Sequence, residues 1–113
     1  MRAALCKSLD GIQGLGVSEI AEPVAGSGQV LVRVKAVGLN FADILMTQGK
    51  YQSKPDLPFS PGAEIAGVVE KIGPGVADFQ CGQRVMAYVG SGGAAEKMVV
   101  EAAALVPVPE GVS

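Results

Sequence analysis

The chain contains no histidine among its 113 residues. Histidine is the side chain that most often acts as a general base near neutral pH, and it is the commonest ligand of catalytic zinc. Its absence excludes Ser-His and Cys-His nucleophiles, and a zinc site would lack its usual ligand. Any chemistry performed by this chain must therefore use carboxylates, tyrosine, lysine, amides or a bound cofactor.

Cysteines and long apolar runs are also scarce. The two cysteines, Cys6 and Cys81, form neither a C-x-x-C pair nor a dense framework, and we expect both to be small buried side chains in a reducing compartment. No segment approaches the roughly 20 apolar residues of a membrane span. The start, MRAALCKSLDG, is too short and too soon interrupted by charge for a signal peptide. We therefore expect no membrane partner and a cytoplasmic location.

The composition is typical of one globular domain. Hydrophobic residues make up 49% of the chain and charged residues 18%, and the length suffices to bury one proper core. The net charge of −2 provides no basic surface for nucleic acid. We therefore expect no nucleic-acid partner.

Short runs of strand type alternate with turn residues along the chain. The runs are MRAALCK, GLGVSEIAEPV, VLVRVKAVGLN, AEIAGVVEKIG, QRVMAYVG and AEKMVVEAAALVPVPEG. The third run is the clearest strand, because Val30, Val32 and Val34 alternate with other side chains at the period of a strand. Many short strands and 16 glycines predict a mainly β domain, either a barrel or a sandwich.

Only FADILMTQG has helical character. Asn40 can cap this helix, Asp43 suits its first turn and Gly49 can end it. Three apolar side chains follow the spacing i, i+3 and i+4, and we expect them to form the buried face of the helix. They are Phe41, Ile44 and Leu45.

The segment GSGGAA, residues 90–95, formally matches the dinucleotide fingerprint G-x-G-x-x-A. That fingerprint requires a following helix and then a second parallel strand. The residues that follow are EKMVVEAAALVPVP, which have the character of a strand. We therefore interpret the segment as a hairpin turn and expect no phosphate cradle in this chain.

Four polar residues form a candidate site: Asn40, Asp43, Tyr51 and Glu64. Asn40 and Asp43 lie at the predicted strand-to-helix turn, where they fit either a site edge or simply a helix cap. Glu64 lies in the small and apolar stretch SPGAEIAGVV, where a buried carboxylate needs a partner. Arg84, one strand later, is the candidate partner in a structural ion pair, and a site carboxylate is the alternative.

Three longer motifs make the chain similar to a known family. VGLNFADILMTQGKY, PFSPGAEIAGVVEKIGPGV and GQRVMAYVGSGGAAEKMVV resemble the N-terminal half of the medium-chain dehydrogenase/reductase superfamily, in family order and spacing. The resemblance is closest to the zinc-independent quinone oxidoreductase branch of these alcohol dehydrogenase-like proteins. It implies one GroES-like β-barrel over residues 1–113, mainly β with one or two short helices, that binds substrate.

The resemblance also bears on metal binding. Zinc-dependent relatives carry a cysteine where this chain has Asn40 and a histidine where it has Ala63. The cysteine-rich lobe that binds structural zinc in those relatives is also missing from this chain. The resemblance therefore implies no zinc, and it gives Glu64 a structural role under the cleft, paired with Arg84.

The resemblance assigns the chain one wall of a cleft. In the family the hydride comes from NADPH, which is bound mainly by a following Rossmann domain that this chain lacks. The cleft positions are Asn40, Phe41, Asp43 and Tyr51. Asn40 would hydrogen-bond near the nicotinamide ribose or the substrate carbonyl, and Phe41 would pack on the ring. Tyr51 would border a quinone or another α,β-unsaturated carbonyl, while the catalytic proton donor stays unknown.

Three functions stay open on this basis. The first is the substrate-binding domain of an NADPH-dependent quinone or enone reductase, homodimeric as a full-length protein, with this part inactive alone. The second is an enoyl reductase domain of a fatty-acid or polyketide synthase. The third, from another class, is a stand-alone GroES-like module that binds or assembles without catalysis.

Overall fold

A computed structural model describes residues 1–52 and 54–112. These residues form β1 (Arg2–Cys6), β2 (Leu15–Glu19), β3 (Gln29–Gly38), β4 (Glu64–Ile72), β5 (Arg84–Tyr88), β6 (Lys97–Glu101) and β7 (Val106–Pro107). One α-helix, α1, spans Phe41–Thr47, and single-turn 3₁₀ helices span Gly11–Gly14 and Ala102–Ala104. The predicted mainly β class with short helices is confirmed.

The strands form two antiparallel sheets. One is the pair β1–β2, and the other has five strands in the order β6-β3-β4-β5-β7. Bridges at Ala3 with Ala95 and at Cys6 with Phe59 join β1 to segments that connect strands of the larger sheet. The larger sheet is built around β3 and β4. Burial alternates along β4, where Ile65, Gly67 and Val69 face the core, whereas Val30, Leu31 and Val32 at the start of β3 are all buried.

The core consists of two clusters. The larger lies against one face of the five-stranded sheet and includes Val30, Val32, Val69 and Val85. The smaller lies beneath α1 and contains Cys6, Met46 and Phe59, with Leu15 and Tyr51 packed against it. Cys6 is buried as predicted, whereas Cys81 is exposed because it lies in the turn before β5.

The glycine-rich segment 90–95 is a crossover and not a hairpin turn. The interpretation as a hairpin was wrong, because β6 pairs with β3 while β5 pairs with β4 and β7. The chain therefore crosses from one side of the sheet to the other between β5 and β6. The next regular element, Lys97–Glu101, is a strand, so this segment lacks the helix that a dinucleotide fingerprint requires.

The helix α1 buries a different face from the one that the sequence predicts. Its buried residues are Asp43, Met46 and Thr47, whereas Phe41 and Ile44 are exposed. The predicted buried face is therefore wrong for these two side chains. Hydrogen bonds draw the Asp43 carboxylate inward, and the side of the helix that carries Phe41 consequently faces outward.

A chain of charges lies across β3, β4 and β6 and reaches Glu22 in the segment before β3. The Lys97 ammonium lies 2.5 Å from a Glu22 carboxylate oxygen and 2.8 Å from one of Glu70, and Arg33 donates to the other Glu70 oxygen. The close ion pair with Lys97 first, and then the hydrogen bonds from Arg33, hold the pKa of Glu70 below its usual range. A lowered carboxyl pKa in the folded protein stabilises it above the pKa of the unfolded chain.

We expect stability to fall as the pH drops below the ordinary glutamate pKa of about 4.3. Over that range the unfolded chain binds a proton at Glu70 before the folded protein does. Urea unfolding between pH 7 and pH 3 should therefore show a shallower loss in Glu70→Gln than in the parent. Parallel profiles for the parent and Glu70→Gln would contradict this role.

Candidate functional site

An open apolar groove of about 440 Å³ runs beside α1. We call it the helix groove, and its lining includes Ile12, Leu39, Asn40, Phe41, Asp43 and Ile44. Phe41 is 71% exposed, and Leu39 and Ile12 are each 65% exposed. Large apolar side chains that share one open groove mark a surface for a ligand or a partner.

Local structure places Asn40 at the edge of this groove. Strand β3 ends at Gly38, and Asn40 is the extended N-cap residue of α1. The Asn40 and Asp43 side chains stand in the reciprocal arrangement of a capping box. Of its two bonds only one has hydrogen-bond geometry, from the Asn40 backbone N–H to Asp43 Oδ2 at 2.7 Å. The predicted cap position is confirmed.

The carboxylate of Asp43 is directed into the protein. The residue is 3% exposed, and its second oxygen accepts a hydrogen bond from the Gly62 backbone N–H at 3.0 Å. A carboxylate with both oxygens bonded to backbone donors is fixed in place. Asp43 thus belongs to the wall of the helix groove, with its charge turned away from the open side.

Tyr51 lies apart from the other predicted cleft residues. It is half-buried and packs against the cluster of Cys6, Met46 and Phe59. Asn40, Phe41 and Asp43 line the helix groove, whereas Tyr51 is not among its lining residues. The structure therefore brings three of the four predicted cleft positions together.

A second open surface covers the outer face of the larger sheet. Gly38 on β3, Glu64 on β4 and Tyr88 on β5 form one cross-strand row, and Met86 lies in the next row. Tyr88 is 64% exposed, and this shallow trough has a volume of about 590 Å³. Its lining is otherwise mostly apolar, and Glu64 brings a charge to it.

The predicted pair of Glu64 and Arg84 does not form. Arg84 lies opposite Val68 in the β4–β5 register, four residues along the strand from Glu64, a separation of roughly 13 Å. The Arg84 guanidinium donates instead to the carbonyl oxygen of Val112. Glu64 is exposed because it starts β4 on the outward face, so the expected burial of its carboxylate is also wrong.

We expect Glu64→Gln to change the free energy of unfolding by less than about 0.5 kcal/mol, because the carboxylate is exposed and its predicted ion pair does not form. Glu70→Gln on the same strand is the matched contrast, since it removes contacts with Lys97 and Arg33. Chemical denaturation of both variants measures the difference. A large loss in Glu64→Gln would restore the structural role that the sequence indicated.

Sequence reasoning missed several residues of these surfaces. Leu39 and Ile12 line the helix groove, and Met86 and Tyr88 line the sheet-face trough. A signal for the second pair was present, because Met86 and Tyr88 alternate with the buried Val85 and Ala87. Bulky apolar residues at the outward positions of a strand indicate a surface that binds a ligand or another protein segment.

The donors for a metal ion are few. Among residues 1–52 and 54–112, no group of three or more Cys, Asp or Glu side chains is placed to hold one. None of the helices in this same part of the chain is long and apolar enough to cross a membrane.

Comparison with known proteins gives one family and several relatives. Residues 26–110 match the alcohol dehydrogenase GroES-like domain. Over 112 residues, 99% of this chain, the sequence is 41% identical to quinone oxidoreductase-like protein 2 of Mus musculus. The folds agree with those of solved relatives. The quinone oxidoreductase of Thermus thermophilus, solved also as its complex with NADPH, gives a TM-score of 0.84 at 44% identity. The human synaptic vesicle membrane protein VAT-1 homolog-like protein gives 0.95 at 34% identity.

The chain spans about a third of each relative. It covers 31% of the mouse protein, 34% of the Thermus chain and 37% of the human chain, while those matches cover 99 to 100% of this chain. The region shared with these relatives therefore includes both open surfaces and the segment that carries Asn40 and Asp43.

Proposed function

Because this chain belongs to the alcohol dehydrogenase GroES-like domain family, we propose that it is the substrate-binding domain of a zinc-free, NADPH-dependent quinone or enone reductase. Relatives that are quinone oxidoreductases support the oxidoreductase family. The proposed substrates are quinones or other α,β-unsaturated carbonyls. The proposed enzyme is a cytoplasmic homodimer that includes a Rossmann domain beyond the matched region.

The observation that carries this proposal is the composition of the helix groove. An exposed aromatic ring, Phe41, stands next to an amide side chain, Asn40, in a lining that is otherwise mostly apolar. A flat conjugated carbonyl compound needs apolar walls for its ring and a polar group for its oxygen. The groove offers both at adjacent residues.

The residues of the chain act in this proposal by binding and orientation. Asn40 donates from its amide to the substrate carbonyl or the nicotinamide ribose, and Phe41 packs on the ring. The apolar side chains of Leu39 and Ile44 exclude water from the same groove. Tyr51 lies outside the groove lining, on the segment that follows α1, and its predicted place at the border of the quinone stays a prediction.

In this proposal, the described residues of the chain hold NADPH at its nicotinamide end. The helix groove offers walls for a ring, whereas the glycine-rich segment 90–95 leads into a strand and lacks the helix N-terminus that holds a pyrophosphate. The cofactor, when bound, supplies the hydride. The remainder of NADPH is proposed to lie on the Rossmann domain. The positions equivalent to zinc ligands are Asn40 and Ala63, which support a zinc-free site.

The test is NADPH oxidation by the complete gene product that carries this chain. We expect turnover with naphthoquinones that is unchanged by EDTA, that is absent for residues 1–113 alone, and that falls in Asn40→Ala and Phe41→Ala. Glu101→Gln, on the exposed side of β6, serves as the neutral control. Turnover that requires added zinc would overturn the zinc-free part of the proposal.

Two alternative outcomes identify the other functions. Reduction of enoyl thioesters without reduction of quinones would favour an enoyl reductase domain. A native gene product of about the 11.4 kDa of this chain, inactive with every acceptor, would favour a stand-alone binding module.

A further inference from the structure

Asp43 joins two segments that flank the helix groove. Its Oδ2 accepts from the backbone N–H of Asn40, the residue that begins α1, and its Oδ1 accepts from the backbone N–H of Gly62. The neighbours Asn40 and Pro61 both line the groove. One buried carboxylate therefore sets the distance between the helix start and the loop before β4.

The Gly62 side of this link is tightly constrained. Gly62 has φ +104°, and a Cβ there would lie 2.7 Å from Val37 Cγ2 and 2.9 Å from the backbone nitrogen of Ala94. Gly62 also accepts from the Gly93 N–H at 3.0 Å. Since the backbone at Gly62 packs closely beside Val37 of β3 and is hydrogen-bonded to the 90–95 crossover, it is a fixed anchor for Asp43.

Two simpler roles for Asp43 explain less. A residue that contacts ligand needs an accessible polar atom, but Asp43 is 3% exposed and both oxygens are engaged. A helix cap needs only the bond to Asn40. The bond to Gly62 lies outside the helix, and it connects the cap to the core of the domain.

We infer that Asp43 is a positioning residue: its carboxylate fixes the Asn40 turn against Gly62, so that the Asn40 amide is held ready for the carbonyl oxygen of a quinone or enone. This inference rests on the proposed function for the identity of the ligand. The link itself does not, because it concerns only residues of this chain. A displacement of about 1 Å at a binding group can cost as much as 100-fold in rate.

The first test follows the link directly in the chain by amide hydrogen exchange. In Asp43→Asn one oxygen becomes an NH₂ group that faces a backbone N–H, so we expect the Gly62 or Asn40 amide to exchange at least 10-fold faster. Asp56→Asn, an exposed acid in the loop after α1, is the control and should leave both amides unchanged. Unchanged exchange at both amides in Asp43→Asn would overturn the inference.

The second test separates positioning from plain stability by a double-mutant cycle with Asn40. We expect Asn40→Ala and Asp43→Asn each to weaken binding of menadione 10-fold or more, measured by amide shifts of Leu39 and Phe41, and the double variant to be no weaker than the worse single variant. Val85→Ala, a core change away from the groove, lowers the melting temperature but leaves menadione affinity unchanged.

Each result of this cycle has a definite meaning. If the affinity losses of Asn40→Ala and Asp43→Asn multiply in the double variant, Asp43 is merely structural and the inference is overturned. The absence of any menadione-induced shift at the groove would overturn the proposed ligand, and the exchange test then decides the link by itself. Non-additive binding without NADPH-dependent turnover in the complete gene product would uphold the positioning role and overturn the proposed reductase function.

Discussion

Replacing Gly67 with alanine is expected to lower the free energy of unfolding by about 4 kcal/mol or more, enough to unfold a marginally stable domain. Gly67 is buried in the middle of β4, where β3 passes with a register shift between Val34 and Ala36. A methyl group there would overlap the carbonyl oxygen of Arg33 and lie 2.8 Å from Val32 Cγ1. Because the first of these atoms is backbone, two central strands would have to separate.

The matched control is Gly16→Ala on β2. Gly16 is also a strand glycine, but a Cβ there meets no atom within 4 Å among the residues that the structure describes. Alanine should be neutral or stabilise the protein by up to about 1 kcal/mol, since it reduces the freedom of the unfolded chain. Thermal and urea unfolding of the two variants measure the contrast. Equal stabilities would mean that β3 and β4 are not in close contact at Gly67.

The second large effect concerns two phenylalanines of opposite exposure. Phe59 is 7% exposed and, with Cys6 and Met46, forms the cluster beneath α1. Phe59→Ala removes a large part of this small cluster and should cost about 3–5 kcal/mol of stability. Phe41→Ala removes a ring that is 71% exposed, and its effect on stability should stay within about 0.5 kcal/mol.

The two substitutions should have the opposite order of effect on activity, with the larger loss in the Phe41 variant. In the proposed reductase Phe41→Ala loses quinone turnover while its unfolding curve overlays that of the parent. Phe59→Ala, assayed well below its own melting temperature, should retain turnover, because Phe59 lies beneath α1 and does not line the groove. A Phe41 variant that is both unstable and fully active would contradict the assignment of this ring to the helix groove.

The β architecture was predictable because its signals are local. The alternation in β3, the apolar run of β4 and the proline-broken β7 each predict a strand from a few residues. The position of α1 was equally local, since Asn40, Asp43 and Gly49 mark its ends. Strand pairing needed more, and the β5–β6 connection was misinterpreted because nothing near residues 90–95 reveals that β6 pairs with β3.

The orientation of α1 could not be derived from its own residues. The apolar spacing of Phe41, Ile44 and Leu45 indicated a buried face, but two backbone donors, on Asn40 and Gly62, draw Asp43 inward. The Gly62 donor lies 19 residues after Asp43 in the chain, so the sequence pattern of α1 cannot reveal it. The site prediction was likewise correct where it depended on local sequence, since the motif placed Asn40 and Phe41 at a groove. It was wrong for the ion pair, because Glu64 and Arg84 on adjacent strands are four residues out of register.

The bridges made by β1 have a consequence for synthesis on the ribosome. The Ala4 N–H donates to the Ala94 carbonyl, and the Glu96 N–H donates to the Arg2 carbonyl. The strand that is translated first among those described thus depends on residues translated about ninety positions later. At roughly 5–20 residues per second, β1 waits on the order of 5–20 s for that neighbour. During this time, pairing with β2 is what protects β1 from association with other chains. Expression conditions with slow translation initiation and available chaperones should therefore raise the yield of folded protein.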